Sequence, residues 1–70
     1  MLLTESPEQL RLTARETQIL SLIRHELTNE AIAHRLGISR RTVEEHLMHI
    51  YAKLGVRSRA AAVMRAFGPR

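Results

Sequence analysis

The chain has 70 residues, enough for one small domain with a limited core. It has no cysteine, which excludes a disulfide framework and a thiolate metal site, and its four histidines lack the carboxylate cluster that would favour a metal site. No apolar run is long enough to span a bilayer, and the N-terminus does not resemble a secretory signal. The composition therefore predicts a cytoplasmic protein with no membrane partner.

Positive charge is concentrated in the second half of the chain. Residues 1–34 contain three arginines and five glutamates, whereas residues 35–70 contain seven arginines and one lysine against two glutamates. The formal net charge of +4 therefore arises from the second half. A basic half-domain is typical of a surface that binds phosphates, although a solvated basic face would have the same composition.

The N-terminal part is predicted to be an arm followed by a helix. Residues 1–11 have mixed charge, a Ser-Pro pair and little periodicity, so we expect a flexible arm or a linker remnant there. Residues 12–70 form the predicted domain. Its first helix begins after Thr13, because Glu16 three residues later has the spacing of a capping box, and it ends near Arg24 or His25.

Residues 29–48 carry the most specific pattern of the chain, two helices joined by a tight turn. Ala33 occupies the position where the two helices would cross closely, and Gly37 supplies a turn with positive φ. Thr28 and Ser39 are expected to cap the two helices. This pattern is typical of a DNA-binding helix-turn-helix, whose second helix enters the major groove; a generic helical hairpin with a glycine turn is the alternative. The spacing also places five apolar residues on one inner surface: Ile32, Leu36, Ile38, Val43 and Leu47.

Glycines and a serine delimit the rest of the domain. Gly55 is expected to end the third helix, which begins after Ser39. Ser58 then caps a fourth helix that extends to Phe67, where Gly68 and Pro69 end it. No segment alternates apolar and polar residues as a strand would. The sequence thus predicts an all-α fold, a four-helix domain containing a helix-turn-helix.

Many residues of this pattern match one known family in order and spacing. They are Leu12-Thr13, Arg15-Glu16, Leu27-Thr28-Asn29, Ile32-Ala33, Leu36, Ile38-Ser39, Thr42-Val43, His46, Lys53-Leu54-Gly55-Val56, Arg57-Ser58-Arg59 and Ala62-Val63. From Leu12 to Phe67 the chain resembles the DNA-binding domain of LuxR-type regulators, also called the FixJ/NarL type. The resemblance implies a bacterial transcription regulator that binds double-stranded DNA, is not an enzyme and needs no cofactor. Members usually carry this domain behind a receiver, ligand-binding or ATPase domain, so we expect an excised effector domain or a short stand-alone member.

Three positions depart from the family pattern. Glu26 stands where a glycine often turns a loop, which implies either a tolerated left-handed residue or a reshaped loop. Ala31 takes a place where glutamate is frequent. Glu44 stands where many members have a lysine that touches DNA, so the base contact at this position and the target sequence stay open.

One face of the third helix is predicted to read base edges. Its apolar stripe of Val43, Leu47, Ile50 and Leu54 faces the core. The candidates therefore lie on the opposite face at spacings of three and four: Arg41, Glu44, Glu45 and Met48. Arginine binds guanine through two hydrogen bonds, a carboxylate accepts from the cytosine amino group, and an apolar side chain contacts a thymine methyl. The alternative for the glutamates is local pairing, Arg40 with Glu44 and Arg41 with Glu45.

The phosphate contacts are predicted at two helix N-termini and along the basic second half. Free N–H groups and the helix dipole suit an anion at these N-termini. Thr28 and Ser39 would also cap helices in a protein that binds no DNA, and His46 is expected to be mainly structural. The predicted set is Thr28, Asn29, Ser39, Arg40, Thr42, His49, Lys53, Arg57 and Arg59.

The fourth helix is small and apolar on more than one side. The resemblance implies that it is the dimer contact, with Ala61 and Met64 as candidate residues; an alanine-rich surface helix chosen for helix propensity is the alternative. We therefore expect a homodimer, at least on DNA, and RNA polymerase is a candidate second partner. A sigma-factor-like promoter-reading domain and a helical protein-interaction module without DNA binding are the competing functions.

Overall fold

The computed structural model describes residues 11–68, which contain four helices. These are α1 (Ala14–Arg24), α2 (Asn29–Leu36), α3 (Arg40–Leu54) and α4 (Arg59–Phe67). No strand occurs between residues 11 and 68, so the predicted all-α, four-helix fold is confirmed. The arm predicted for residues 1–11 lies outside the described residues except for Arg11, and so does the predicted stop at Pro69.

Each helix begins at the cap that the sequence predicts. The hydroxyl of Thr13 accepts a hydrogen bond from the Glu16 N–H at 3.1 Å, and the Glu16 carboxylate accepts one from the Thr13 N–H at 2.8 Å. This reciprocal pair is a complete capping box. Thr28, Ser39 and Ser58 each accept a hydrogen bond from the backbone N–H three residues later, at 3.0–3.1 Å.

Glycines end α2 and α3 by allowing a left-handed backbone. Gly37 has φ 69° and Gly55 has φ 70°. In both turns the next residue donates its N–H back to the last turn of the helix, Ile38 to the Ala33 carbonyl and Val56 to the Tyr51 carbonyl, each at 3.0 Å. These bonds satisfy carbonyls at the helix end and return an apolar side chain to the core.

Glu26 ends α1 in the same way without being a glycine. Its φ is 67°, and the following Leu27 N–H donates to the Leu22 carbonyl at 3.2 Å. Of the two alternatives that the sequence left open, the tolerated left-handed residue is therefore the correct one. The apolar Leu27 then packs against the core, and this burial offsets the backbone cost of a residue other than glycine at positive φ.

Replacing Glu26 with glycine is expected to raise the free energy of unfolding by about 0.5–1 kcal/mol. Glycine adopts positive φ without the steric cost of a Cβ, and the larger backbone entropy of glycine in the unfolded chain cancels part of this gain. Urea unfolding of the parent and the Glu26→Gly variant measures the difference. Glu26→Ala is the matched control, since it removes the charge and keeps the Cβ. Equal stabilities for Glu26→Gly and Glu26→Ala would contradict this explanation.

The core lies around α3, which contacts all three other helices, while α1 and α4 also contact each other. Val43, Leu47 and Ile50 form the buried stripe of α3 that the sequence predicts. Ala62 on α4 is also fully buried, a role that the sequence analysis did not assign. The complete buried apolar set is Ile19, Leu20, Ile23, Ile32, Ala33, Val43, Leu47, Ile50 and Ala62. Burying one stripe of α3 leaves its opposite face on the surface.

Candidate nucleic-acid interface

The outer face of α3 carries the four residues predicted to contact bases. Arg41, Glu44, Glu45 and Met48 are all exposed, as the helical spacing requires. Met48 is 64% exposed, one of two large apolar side chains exposed on the surface of residues 11–68. An apolar side chain held on a polar, charged face is suited to a partner that offers both kinds of group, as base edges do. Arg41 Nε also lies 3.5 Å from Glu45 Oε2, which forms an ion pair within the helix.

The N-termini of α2 and α3 bring together the hydroxyl and amide side chains predicted to contact phosphates. Thr28 caps α2, whose first residue is Asn29. Ser39 caps α3, and its Oγ lies 2.9 Å from the Thr42 Oγ1. Unpaired N–H groups at a helix N-terminus, together with the helix dipole, suit an anion. Arg40 and Arg41 open α3, which adds positive charge at this end.

Arg40 is held between carboxylates from two helices. Its Nη1 lies 3.2 Å from Glu30 Oε2 on α2, and its Nε lies 3.1 Å from Glu44 Oε2 on α3. Hydrogen bonds to Glu44 and then to Glu30 raise the pKa of Arg40 above its usual value. The Arg40–Glu44 pairing that the sequence offered as an alternative is therefore present. The contact with Glu30 spans two helices and was not predicted.

Arg59 and Asn29, both predicted to contact phosphates, contact each other. The Arg59 guanidinium donates to Asn29 Oδ1 at 2.7 Å and also to the Leu27 carbonyl. Arg59 is half-buried in this position. It therefore fastens the start of α4 to the turn between α1 and α2, a structural role that the sequence analysis missed.

Lys53 also has a partner inside the domain. Its Nζ lies 2.7 Å from Glu16 Oε1 and 3.3 Å from the Arg11 carbonyl. The side chains of Lys53 and Glu16 are only 25% and 7% exposed. Burial by itself raises the pKa of Glu16, but the hydrogen bonds from Lys53 and from the Thr13 N–H outweigh it, so the pKa lies below its usual value. No local pattern could reveal this ion pair.

The remaining predicted residues lie on the surface or at its edge. His49 and Arg57 are exposed, and His46 is half-buried. On α4, Ala61 is half-buried and Met64 is 55% exposed. The guanidinium carbon of Arg24, at the end of α1, lies 4.4 Å above the centre of the Phe67 ring, at the end of α4. This cation–π contact helps to hold α4 against α1.

A short capped helix, a left-handed glycine turn and a longer helix with one face buried and one exposed together define a helix-turn-helix domain. The chain belongs to the GerE family, described as bacterial regulatory proteins of the luxR family, whose sequence profile matches residues 10–66. This is a class of DNA-binding transcription regulators that are not enzymes. Membership in this family excludes the competing function of a helical protein-interaction module without DNA binding.

Individual relatives are transcription regulators by name. The chain is 54% identical over 52 residues to the probable transcriptional regulatory protein SgaR of Hyphomicrobium methylovorum, covering 74% of this chain and 25% of SgaR. It is 47% identical over 55 residues to the putative HTH-type transcriptional regulator Rv0890c of Mycobacterium tuberculosis, covering 79% of this chain and 6% of that protein.

A solved structure supports the fold as well. The crystal structure of the response regulator ChrA in a heme-sensing two-component system superposes with a TM-score of 0.80 and 47% identity, over 81% of this chain and 28% of ChrA. The chain thus spans about a quarter or less of the length of these relatives. Within residues 11–68, no helix has the length and apolar character needed to cross a membrane.

Proposed function

We propose that α3 lies in the major groove of duplex DNA and reads base edges with Arg41, Glu44, Glu45 and Met48. The observation that carries this proposal is the exposed outer face of α3, directly opposite the buried stripe that holds the helix in place. A helix anchored along one side presents the other side as a rigid surface. Rigid placement favours sequence-specific contacts, because their geometry must match the base edges.

The phosphate contacts surround this face in the proposal. They lie at the N-termini of α2 and α3, in the second half of α3, in the turn after it and at the start of α4: Thr28, Asn29, Ser39, Arg40, Thr42, His49, Lys53, Arg57 and Arg59. Arg57 is the best probe of this set, because it is exposed in the turn after α3. Lys53 is a poor probe, since its replacement would also break the ion pair with Glu16.

We also propose that α4 joins two copies on adjacent half-sites through Ala61 and Met64. The exposed Met64 supports this role, because it leaves apolar surface on α4 that a second copy could cover. A stable interface buries about 1,200–2,000 Å² in total. One short helix offers far less, so pairing depends on the DNA, which holds two copies close and raises their effective concentration.

The chain is proposed to act as the DNA-binding part of a bacterial regulator, in the cytoplasm where the chromosome lies. The likeness to the response regulator ChrA favours an effector domain controlled by a separate sensory domain. RNA polymerase is the proposed second partner, because a regulator bound beside a promoter lies next to it. The names of the relatives as transcription regulators support these assignments, which concern the whole regulator.

Selection of bound duplexes from a random pool tests the proposal. Arg41→Ala and Glu44→Ala are each expected to change the preferred base at one position, since a good base contact contributes about 1–3 kcal/mol of discrimination. Half-sites in the selected duplexes should be spaced by about one helical turn, roughly 10 base pairs, or a multiple of it.

Arg57→Ala is the control for a contact with the DNA backbone. It should weaken binding to all duplexes alike and flatten the salt dependence by about one unit. Unchanged base preferences in both Arg41→Ala and Glu44→Ala would show that the outer face of α3 does not read the sequence.

A further inference from the structure

Arg40 connects the groove-facing side of α3 to a residue that lies outside it. We propose that Glu30 is a positioning residue for base recognition, which acts through Arg40 to orient Glu44. This inference rests on the proposed placement of α3 in the major groove. It adds a residue of α2 to the set that determines sequence preference.

The geometry places Arg40 at the joint between the two helices. Its guanidinium contacts Glu30 through Nη1 at 3.2 Å and Glu44 through Nε at 3.1 Å. A guanidinium is planar and rigid, so two contacts on different edges fix the orientation of its plane. Because these two anchors come from different helices, the position of Arg40 depends on how α2 and α3 pack.

Glu44 stands at the border between two surface hollows. One hollow lies at the α2–α3 joint and is lined by Asn29, Glu30, Arg40 and Arg59 among others, together with Glu44. The second runs along the outer face of α3 and is lined by Arg40, Arg41, Glu44, Glu45 and Met48. Arg40 and Glu44 line both, so the Arg40–Glu44 contact separates the joint from the proposed base-reading face.

The charge balance explains how Glu30 would influence Glu44. Two carboxylates share one guanidinium, and Arg40 contacts Glu44 at one oxygen, Oε2. A carboxylate has two oxygens and about four acceptor positions, so Glu44 keeps capacity to accept from a cytosine amino group. With Glu30 present, Nη1 and Nε of Arg40 contact the two carboxylates, and Nη2 remains to meet a phosphate. Without Glu30, Arg40 would be free to face both oxygens of Glu44 or to turn wholly towards a phosphate. In either case the Glu44 carboxylate loses its fixed orientation.

Removing the charge of Glu30 also has an effect that does not depend on sequence. Glu30 has a 75% exposed side chain and repels phosphates, so its neutralisation should strengthen binding to every duplex. This gain in affinity is the same for every duplex, so it cancels in the ratio of the affinities for two duplexes. The preference ratio therefore measures positioning separately from general electrostatics.

The experiment uses Glu30→Gln, which keeps the shape of the side chain. Affinity is measured for the selected duplex and for duplexes altered at the base pair whose preference depends on Glu44. The preference ratio is expected to fall about two- to fivefold, the size expected from loss of an exposed ion pair. The ratios at other base pairs should not change. In a Glu44→Ala background, Glu30→Gln should leave all ratios unchanged.

Glu26→Gln is the matched control, because Glu26 lines the same hollow while the ion pairs of Arg40 are with Glu30 and Glu44. It should alter overall affinity without altering the ratio. An equal effect of Glu30→Gln on all duplexes, or an effect on the ratio that persists in the Glu44→Ala background, overturns the inference. If Glu44→Ala alone changes no preference, the base contact of Glu44 is refuted first, and the inference falls with it.

Discussion

The Ala33→Leu variant is expected to lose about 1–3 kcal/mol of unfolding free energy, because a larger side chain would enter a closely packed helix joint. Ala33 is 7% exposed on α2, whose main neighbour is α3. Its carbonyl also accepts the Ile38 N–H that closes the turn between the two helices, so displacement of α2 would disturb this turn. In a domain of this size the loss corresponds to a lower melting temperature by roughly 5–20 °C.

Thermal melting followed by circular dichroism measures this effect. Ala31→Leu is the matched control, since Ala31 lies on the same helix and is exposed. The Ala31→Leu variant carries the same larger side chain outside the helix joint. Its melting temperature should be close to that of the parent. A melting temperature of Ala33→Leu equal to that of the parent would mean that the α2–α3 crossing has room for a leucine.

The Lys53→Met variant is expected to lose about 2 kcal/mol at neutral pH, because it leaves the Glu16 carboxylate in place without its cation. Breaking a fully buried ion pair costs about 3–5 kcal/mol, and the partial exposure of Lys53 reduces that figure. Glu16 retains the Thr13 N–H as a hydrogen-bond donor, which limits the loss further. Lys53→Arg is the conservative control, and it should recover most of the stability by keeping a cation at this position.

The same pair predicts how stability depends on pH. The pKa of Glu16 in the folded domain lies below its ordinary value of 4.5, so the stabilisation from the pair is present above that value. This stabilisation is lost as the pH falls through the pKa of Glu16 in the folded domain, because the protonated, neutral carboxyl forms no ion pair with Lys53. The difference in stability between the parent and Lys53→Met should therefore shrink as the pH is lowered from about 6 to about 3. A difference that is constant across this range would exclude an electrostatic contribution from the pair.

The four helices and the buried and exposed faces of α3 can be predicted from local features of the sequence. Thr13, Thr28, Ser39 and Ser58 cap the helices through bonds to backbone groups only three residues away. Gly37 and Gly55 act within one helical turn. The faces of α3 follow from a repeat of 3.6 residues. All of these signals are local, so they can be read along the chain without knowing how the helices pack.

The contacts between helices depend on how the helices pack. Lys53 and Glu16 are 37 residues apart, and Arg59 and Asn29 are 30 apart, so no short-range spacing indicates that they meet. The link from Arg40 to Glu30 likewise depends on the angle between α2 and α3. Which charged residues face DNA, and which are held by a partner within the domain, therefore depends on the crossing of the helices. That crossing results from the packing of the whole core, which a local pattern does not specify.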